Sequence, residues 1–289
     1  MTENDIEPGL YDMPEAQYFA HPAISNSGLK AFARSPAHYL AERETPRKPT
    51  PSMLAGTAIH SALLEPEAFA AKYIHTPAGA PRRPTEAQLN AKNPSESSIK
   101  SIEFWTAFEA KARGRIVLDK ETYDEYQHIG NQARQHPELA TLLTGGYAEK
   151  TVFGRDPETG VMCRIRVDYY TTVGDRRVMI DVKSTEDARP HRFQKTAYDY
   201  GYFHGAAFYS DVWAWAGMAG EIDTYIILAL ERDAPYGIYL YEVGGQALER
   251  GRAAYRTHLN HYAECLAADN WPGYSTDIVP LLYPSWAQE

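Results

Sequence analysis

A chain of 289 residues with 44% hydrophobic and 23% charged residues holds enough material for a sizeable core and reads as one globular domain over 1–289. No window of eighteen uninterrupted apolar residues occurs, and Met1-Thr2-Glu3-Asn4-Asp5 lacks the basic and apolar regions of a signal peptide, so no membrane and a cytoplasmic location are expected. The formal net charge of −9 excludes a protein that coats nucleic acid nonspecifically, and the distant Cys163 and Cys265 exclude a CxxC zinc pair or an iron–sulfur cluster.

Residues 1–24 are expected to be irregular, punctuated by Pro8-Gly9 and Pro14. A helix should open at Ser25-Asn26-Ser27-Gly28-Leu29-Lys30, with Ser25 or Ser27 as cap and Leu29, Phe32 and Ala33 as its apolar stripe. A short helix through His38-Tyr39-Leu40 and a basic, proline-rich connector, Pro46-Arg47-Lys48-Pro49-Thr50-Pro51, come next. Over 53–64 the pattern is helical, with Gly56, Ala58 and Ala62 allowing close packing and Pro66 ending the run. His60 lies on this helix, and a single histidine on an apolar helix is by default a core residue rather than a ligand. Residues 76–100 read as an exposed loop in which Arg82-Arg83 either contacts phosphates or is solvated. Helices over about 102–113, 123–135 and 138–143 complete a mainly helical part, 1–146.

From Tyr147 the pattern turns to strands, about 150–154, 161–170 and 178–183, in antiparallel sequence, with Glu149 where the first begins and Gly174-Asp175 in the second turn. A hairpin of that length brings Asp168 and Asp181 side by side. Strand side chains alternate, so Lys183 shares the face of Asp181 while Val182 enters the opposite layer. Two carboxylates and an ammonium suffice to hold a dication and activate a water, although strand-end acids with a surface ion pair give the same spacing. Arg164 and Arg166 should share the face of Asp168, either gripping phosphate or balancing Asp168 and Glu149. A helix from about 191 to 202, continuing or restarting over 206–218, then strands over 225–230 and 236–243, complete a sheet core at 147–243. A helix over 245–268 and a Pro- and Trp-rich tail close the chain. The fold class is α+β (mixed α/β), one central sheet flanked by helices.

With these residues placed, the chain resembles the PD-(D/E)xK nuclease superfamily and, within it, the RecE-type exonuclease domain of phages and prophages. The likeness runs through Pro8-Gly9-Leu10-Tyr11, the Ser25–Lys30 segment, Ser35-Pro36-Ala37-His38-Tyr39 and Gly56-Thr57-Ala58-Ile59-His60. It continues through Thr159–Asp168, Asp181-Val182-Lys183-Ser184-Thr185, Gly201-Tyr202 and Ala206-Ala207-Phe208-Tyr209. The resemblance implies that His60, Asp168, Asp181 and the Val182 carbonyl ligate a catalytic Mg²⁺, with Mn²⁺ tolerated because of the imidazole, and that Lys183 orients or deprotonates the attacking water. Glu149 would support the site from the neighbouring strand or fill a second metal position. Relatives carry a Q-x-x-x-Y pair on the following helix; here Tyr209 holds the tyrosine position and Gly205 the glutamine position, with His204 as a replacement phosphate contact. The activity implied is Mg²⁺-dependent digestion of one strand of linear double-stranded DNA, 5′ to 3′, leaving a 3′ overhang. The partners implied are double-stranded DNA ends, a RecT-like single-strand annealing protein and further copies of the chain in a ring of three or four. The alternatives are a catalytically weak or inactive DNA-binding relative and a DNA endonuclease.

Overall fold

The computed structural model describes residues 6–45 and 48–283. Pro46 and Arg47 of the connector, and the last residues of the tail, lie outside the described residues. The N-terminal stretch expected to be irregular forms β1 (Gly9–Tyr11), α1 (Glu15–Ala20) and β2 (Ile24–Ser25). Strands this short leave no local pattern, because their partners lie far along the chain. The Ser25 hydroxyl then accepts from Gly28 N at 3.2 Å and caps α2 (Asn26–Arg34), and Ser35 does the same for α3 (Pro36–Glu44). Thr50 caps α4 (Pro51–Leu64), whose first turn carries Pro51, a residue that forgoes no bond there.

Next come α5 (Pro66–Lys72), β3 (Tyr73–His75), α6 (Glu86–Leu89), α7 (Glu96–Ala112), β4 (Ile116–Leu118), α8 (Lys120–Gln135) and α9 (Pro137–Leu142). The parallel pair β3 and β4 has no sequence signal, being three residues a side. Residues 76–100 are more ordered than a bare loop: a Thr85–Gln88 capping box starts α6, and Arg83 lies 4.1 Å over the Trp105 ring and 2.7 Å from Glu109. That guanidinium is engaged within the fold.

The remaining elements are β5 (Tyr147–Arg155), β6 (Met162–Val173), β7 (Arg176–Thr185), α10 (Pro190–Asp199), α11 (Tyr202–Trp215), β8 (Thr224–Glu231), β9 (Ile238–Glu242) and α12 (Gly245–Ala268). The central sheet runs β1-β5-β6-β7-β8-β9, with β2 joined to β6, and is antiparallel apart from the β7–β8 and β2–β6 pairs. A parallel β7–β8 pair needs a crossover, which α10 and α11 provide. Both faces of the sheet are covered. On β7, Val178, Ile180 and Val182 pack with Ile59 and Leu63 of α4 and Ile129 and Ala133 of α8. Met179, from the other face, packs in the cluster of Phe32, Phe208, Trp213 and Tyr255 from α2, α11 and α12. Each such buried ring contributes roughly 2 kcal/mol, so the helices that carry functional side chains are firmly seated. The α+β class and its three-strand meander follow the sequence expectation.

Candidate metal centre and active site

The site forms where β6 and β7 part. Their register runs from Val173 opposite Arg176 to Tyr169 opposite Ile180, and one further step would set Asp168 opposite Asp181. Pairing stops there, and a strand that loses its neighbour leaves the next N–H and C=O in need of partners. For Val182 both partners are side chains. Asp168 Oδ2 accepts its N–H at 2.7 Å, and His60 Nε2, reaching in from α4, lies 2.7 Å from its carbonyl oxygen. A carbonyl only accepts, so in neutral His60 the proton sits on Nε2 and Nδ1 turns a lone pair toward Asp168 Oδ2, 3.7 Å away. Two acceptors facing each other across such a gap are relieved by a cation.

Glu149 joins them from β5. It falls between the Ala148–Tyr169 and Lys150–Val167 pairs, across from Asp168, with φ at 54°. A left-handed conformation outside glycine costs roughly 1–2 kcal/mol, which the surrounding sheet must absorb. Ligand atoms of His60, Glu149 and Asp168 lie within 4.8 Å of one another. Asp181 stands outside this trio, its Oδ1 accepting from Lys183 Nζ at 2.5 Å; the same ammonium is 3.4 Å from the Val182 oxygen and 5.4 Å from the centre of the Tyr202 ring.

Electrostatics follow from crowding. Burial pushes the Glu149 carboxyl up, the charge of Asp168 adds to this, and the Arg166 guanidinium opposes it. For Asp181, burial again raises the pKa, Lys183 pulls it back and Asp168 pushes it further up. Burial by itself would lower Lys183, but the Asp181 and Asp168 carboxylates outweigh it and hold the ammonium protonated. Glu149, raised by burial and by its neighbour's charge, and Asp168 face an imidazole lone pair, and the three form a donor set that fits a divalent cation. The carboxylates supply hard oxygens, and the imidazole extends tolerance toward Mn²⁺.

Arg166 donates from Nε to Glu149 Oε2 at 2.7 Å and from Nη1 to the Met13 oxygen at 3.0 Å. Arg164 is buried, its guanidinium 4.8 Å over the Tyr18 ring of α1. Regular alternation along β6 breaks around Asp168: Val167 and Tyr169, two residues apart, pack on opposite sides of the sheet. The irregularity sits across from the left-handed Glu149. Tyr209 is half-buried on α11, and burial, then Tyr18 and the three acids, push its phenol well above the ordinary range.

His204 Nδ1 lies 2.7 Å from Asn26 Oδ1, and burial first, then Lys30 and His258, lowers its pKa to about 4. Gly205 is buried against the same amide, since a Cβ there would stand 3.0 Å from Asn26 Nδ2. Sequence reasoning missed Lys30. Its Nζ donates to the Tyr200 oxygen at 2.6 Å, and burial foremost, then the charge of Lys183, brings its pKa down to about 8. The available signal was a polar pair, Asn26 and Lys30, one turn apart on a helix otherwise read by its apolar stripe.

Residues 25–279 match the family model described as "PDDEXK-like domain of unknown function (DUF3799)". The fold is similar to the crystal structure of a "Putative exonuclease" from Eubacterium rectale, with a TM-score of 0.55 and 10% identity, over 90% of this chain and 88% of that one. A second solved structure, SSO0001, aligns at a TM-score of 0.29 and 11% identity over 71% of this chain and 86% of that one, too loosely to bear on the argument. None of the curated proteins matches the sequence. Among the described residues no helix is long and apolar enough to cross a membrane.

Proposed function

This chain belongs to the PDDEXK-like domain family, within the PD-(D/E)xK nuclease superfamily, and from that premise we propose that it is a divalent-metal-dependent exodeoxyribonuclease of the RecE type. It digests one strand of linear duplex DNA from the 5′ end and leaves a 3′ overhang for a RecT-like annealing partner, working as a ring of three or four copies. The single observation that carries the nuclease reading is the convergence of His60, Glu149, Asp168, Asp181 and Lys183 on one parting of two strands, around the Val182 peptide.

His60, Asp168 and Glu149 would hold the ion, with Asp181 and the Val182 carbonyl in the same pocket. When bound, it supplies positive charge against the phosphate and eases deprotonation of the attacking water. Lys183 is held protonated by its two acidic neighbours, so its Nζ keeps its protons and donates to a phosphate oxygen as negative charge builds there. The Val182 N–H fixes Asp168, and Arg166 neutralises Glu149 so that a third carboxylate can sit beside the other two. Water oxygen would bond to phosphorus as the scissile P–O bond breaks, the attacking water giving its proton to solvent and the departing sugar oxygen taking one up from solvent.

The test is a linear duplex labelled at one 5′ end and incubated in Mg²⁺ with wild type and with Asp181→Ala. Labelled short products from wild type alone support the reading; equal release by both proteins sinks it. Loss of a 3′ label first would reverse the polarity, and cutting of closed circular DNA would make the enzyme an endonuclease. Gly205 favours a second reading, a DNA-binding relative with weak or no cutting, because the pocket where a glutamine is expected is filled by Asn26. Calorimetry with Mn²⁺ separates the two: a relative without a working centre gives no site-specific heat.

A further inference from the structure

The residues that the family model matches begin at 25, yet an earlier stretch of the chain is bonded to the metal centre. β1 lies along β5 with Tyr11 opposite Thr151, and Arg166 of β6 stands opposite Thr151 on the other side. Just past β1 the backbone meets the Arg166 guanidinium. Nη1 donates to the Met13 oxygen at 3.0 Å and to Thr151 Oγ1 at 3.3 Å, while Nε donates to Glu149 Oε2 at 2.7 Å. The same strap is tied a second time beside Glu149, where Lys150 Nζ donates to Asp12 Oδ1 at 2.6 Å.

A guanidinium is a planar fork whose bonds fix direction as well as charge. Here Nη1 is anchored on a main-chain carbonyl and on a threonine with no exposure, so Nε grips the carboxylate from a fixed point. One Glu149 oxygen is thereby committed, and the other remains for the cluster with His60 and Asp168. A residue other than glycine at φ 54° persists only where its surroundings over-determine it, and the fork is what bonds this side chain. Neutralising Glu149 asks only for a positive charge, which a lysine supplies equally well. Bonding a carboxylate, a carbonyl and a hydroxyl from one rigid plane asks for an arginine.

We infer that Arg166 is a positioning residue through which the N-terminal strap, residues 9–13, aims Glu149 at the ion, so that a segment ahead of the matched span sets how tightly metal is held. The inference rests on the metal centre of the proposed nuclease and deepens it.

The experiment is Mn²⁺ calorimetry on the metal-free full chain, for wild type, Arg166→Lys, Glu149→Gln and the two together, each shown to be folded by a melt in EDTA. Arg166→Lys keeps the charge and loses the fork, and should bind Mn²⁺ roughly tenfold more weakly. In the Glu149→Gln background the same change should cost nothing further, because an arginine that acts through Glu149 has nothing left to aim. Thr151→Val, which removes one bond to Nη1 and keeps the side-chain shape, should give a smaller loss of the same kind, and it carries the test if Arg166→Lys does not fold. Hydrogen exchange reads the strap itself: Mn²⁺ should slow the amides of residues 9–13 in wild type and leave them unchanged in Arg166→Lys. Wild-type affinity in Arg166→Lys overturns the inference, since charge alone then suffices. Losses that add in the double variant, or strap amides indifferent to Mn²⁺, overturn it as well. None of these readouts involves DNA, so their failure leaves the end-label assay to judge the nuclease reading independently.

Discussion

At Glu149 a carboxylate is held in a left-handed backbone, half-buried, beside Asp168, an arrangement that costs the fold something and that the Arg166 guanidinium offsets in part. Because its pKa is raised above the ordinary value, ionising Glu149 as the pH climbs through and beyond the carboxylate range removes stability from the metal-free protein. Glu149→Gln should therefore melt at or slightly above the wild-type temperature in EDTA. On addition of Mn²⁺ wild type should rise by several degrees and the variant by much less, in a thermal melt followed by circular dichroism. His204 gives the opposite sign. Its pKa is lowered to about 4 by burial, so its stabilising effect is complete above the ordinary histidine range and fades as pH falls from about 6.5 toward 4. Between pH 7 and pH 5 this single group should remove roughly 2 kcal/mol. His204→Gln, able to bond Asn26 but unable to take up the proton, should flatten that part of the stability–pH curve in urea titrations.

At the scale of elements the position of His60 depends on how closely α8 lies on α4. A Cβ added at Gly130 would stand 2.7 Å from the Ala62 oxygen and 2.8 Å from its carbonyl carbon, backbone atoms that cannot rotate away. Gly130→Ala should thus cost on the order of 1–3 kcal/mol by pushing the helices apart, and should weaken Mn²⁺ binding through His60, two positions before Ala62. Denaturation and calorimetry on the same preparation separate the two effects: full-strength metal binding in a destabilised variant would show that α4 is positioned by something else. The turn between α10 and α11 is similarly constrained. Gly201→Ala places a side chain at φ 63° with its Cβ 3.3 Å from Lys30 Cε, and should lower stability by about 1 kcal/mol while loosening the Tyr200 carbonyl from Lys30.

For the whole molecule, a net charge of −9 supplies no overall attraction for the DNA of the proposed activity, which is left to local groups. Affinity for duplex ends should then depend on the ion at the carboxylates, falling roughly tenfold or more when EDTA replaces divalent cation, as a gel shift with the Asp181→Asn protein would record. Ile278 and Leu281 are fully exposed on the tail, with Val279 and Leu282 close behind, an apolar surface in keeping with the proposed assembly that light scattering can count. The sequence by itself carried the meander and the long helices, because side-chain period, caps and turn residues act over a few positions and a hairpin is a local object; the hairpin sets Asp168 and Asp181 where the ladder ends, one step past its last pair. It carried His60 only through resemblance to a family. The tertiary structure alone decided that Glu149 faces Asp168 and His60, that Asp181 is claimed by Lys183, and that Lys30 and Tyr200 border the site. Each of those outcomes depends on where two strands part and on which distant helix supplies the bonds they leave unmade. No local pattern records this, since the partners of Val182 lie 14 and 122 residues away.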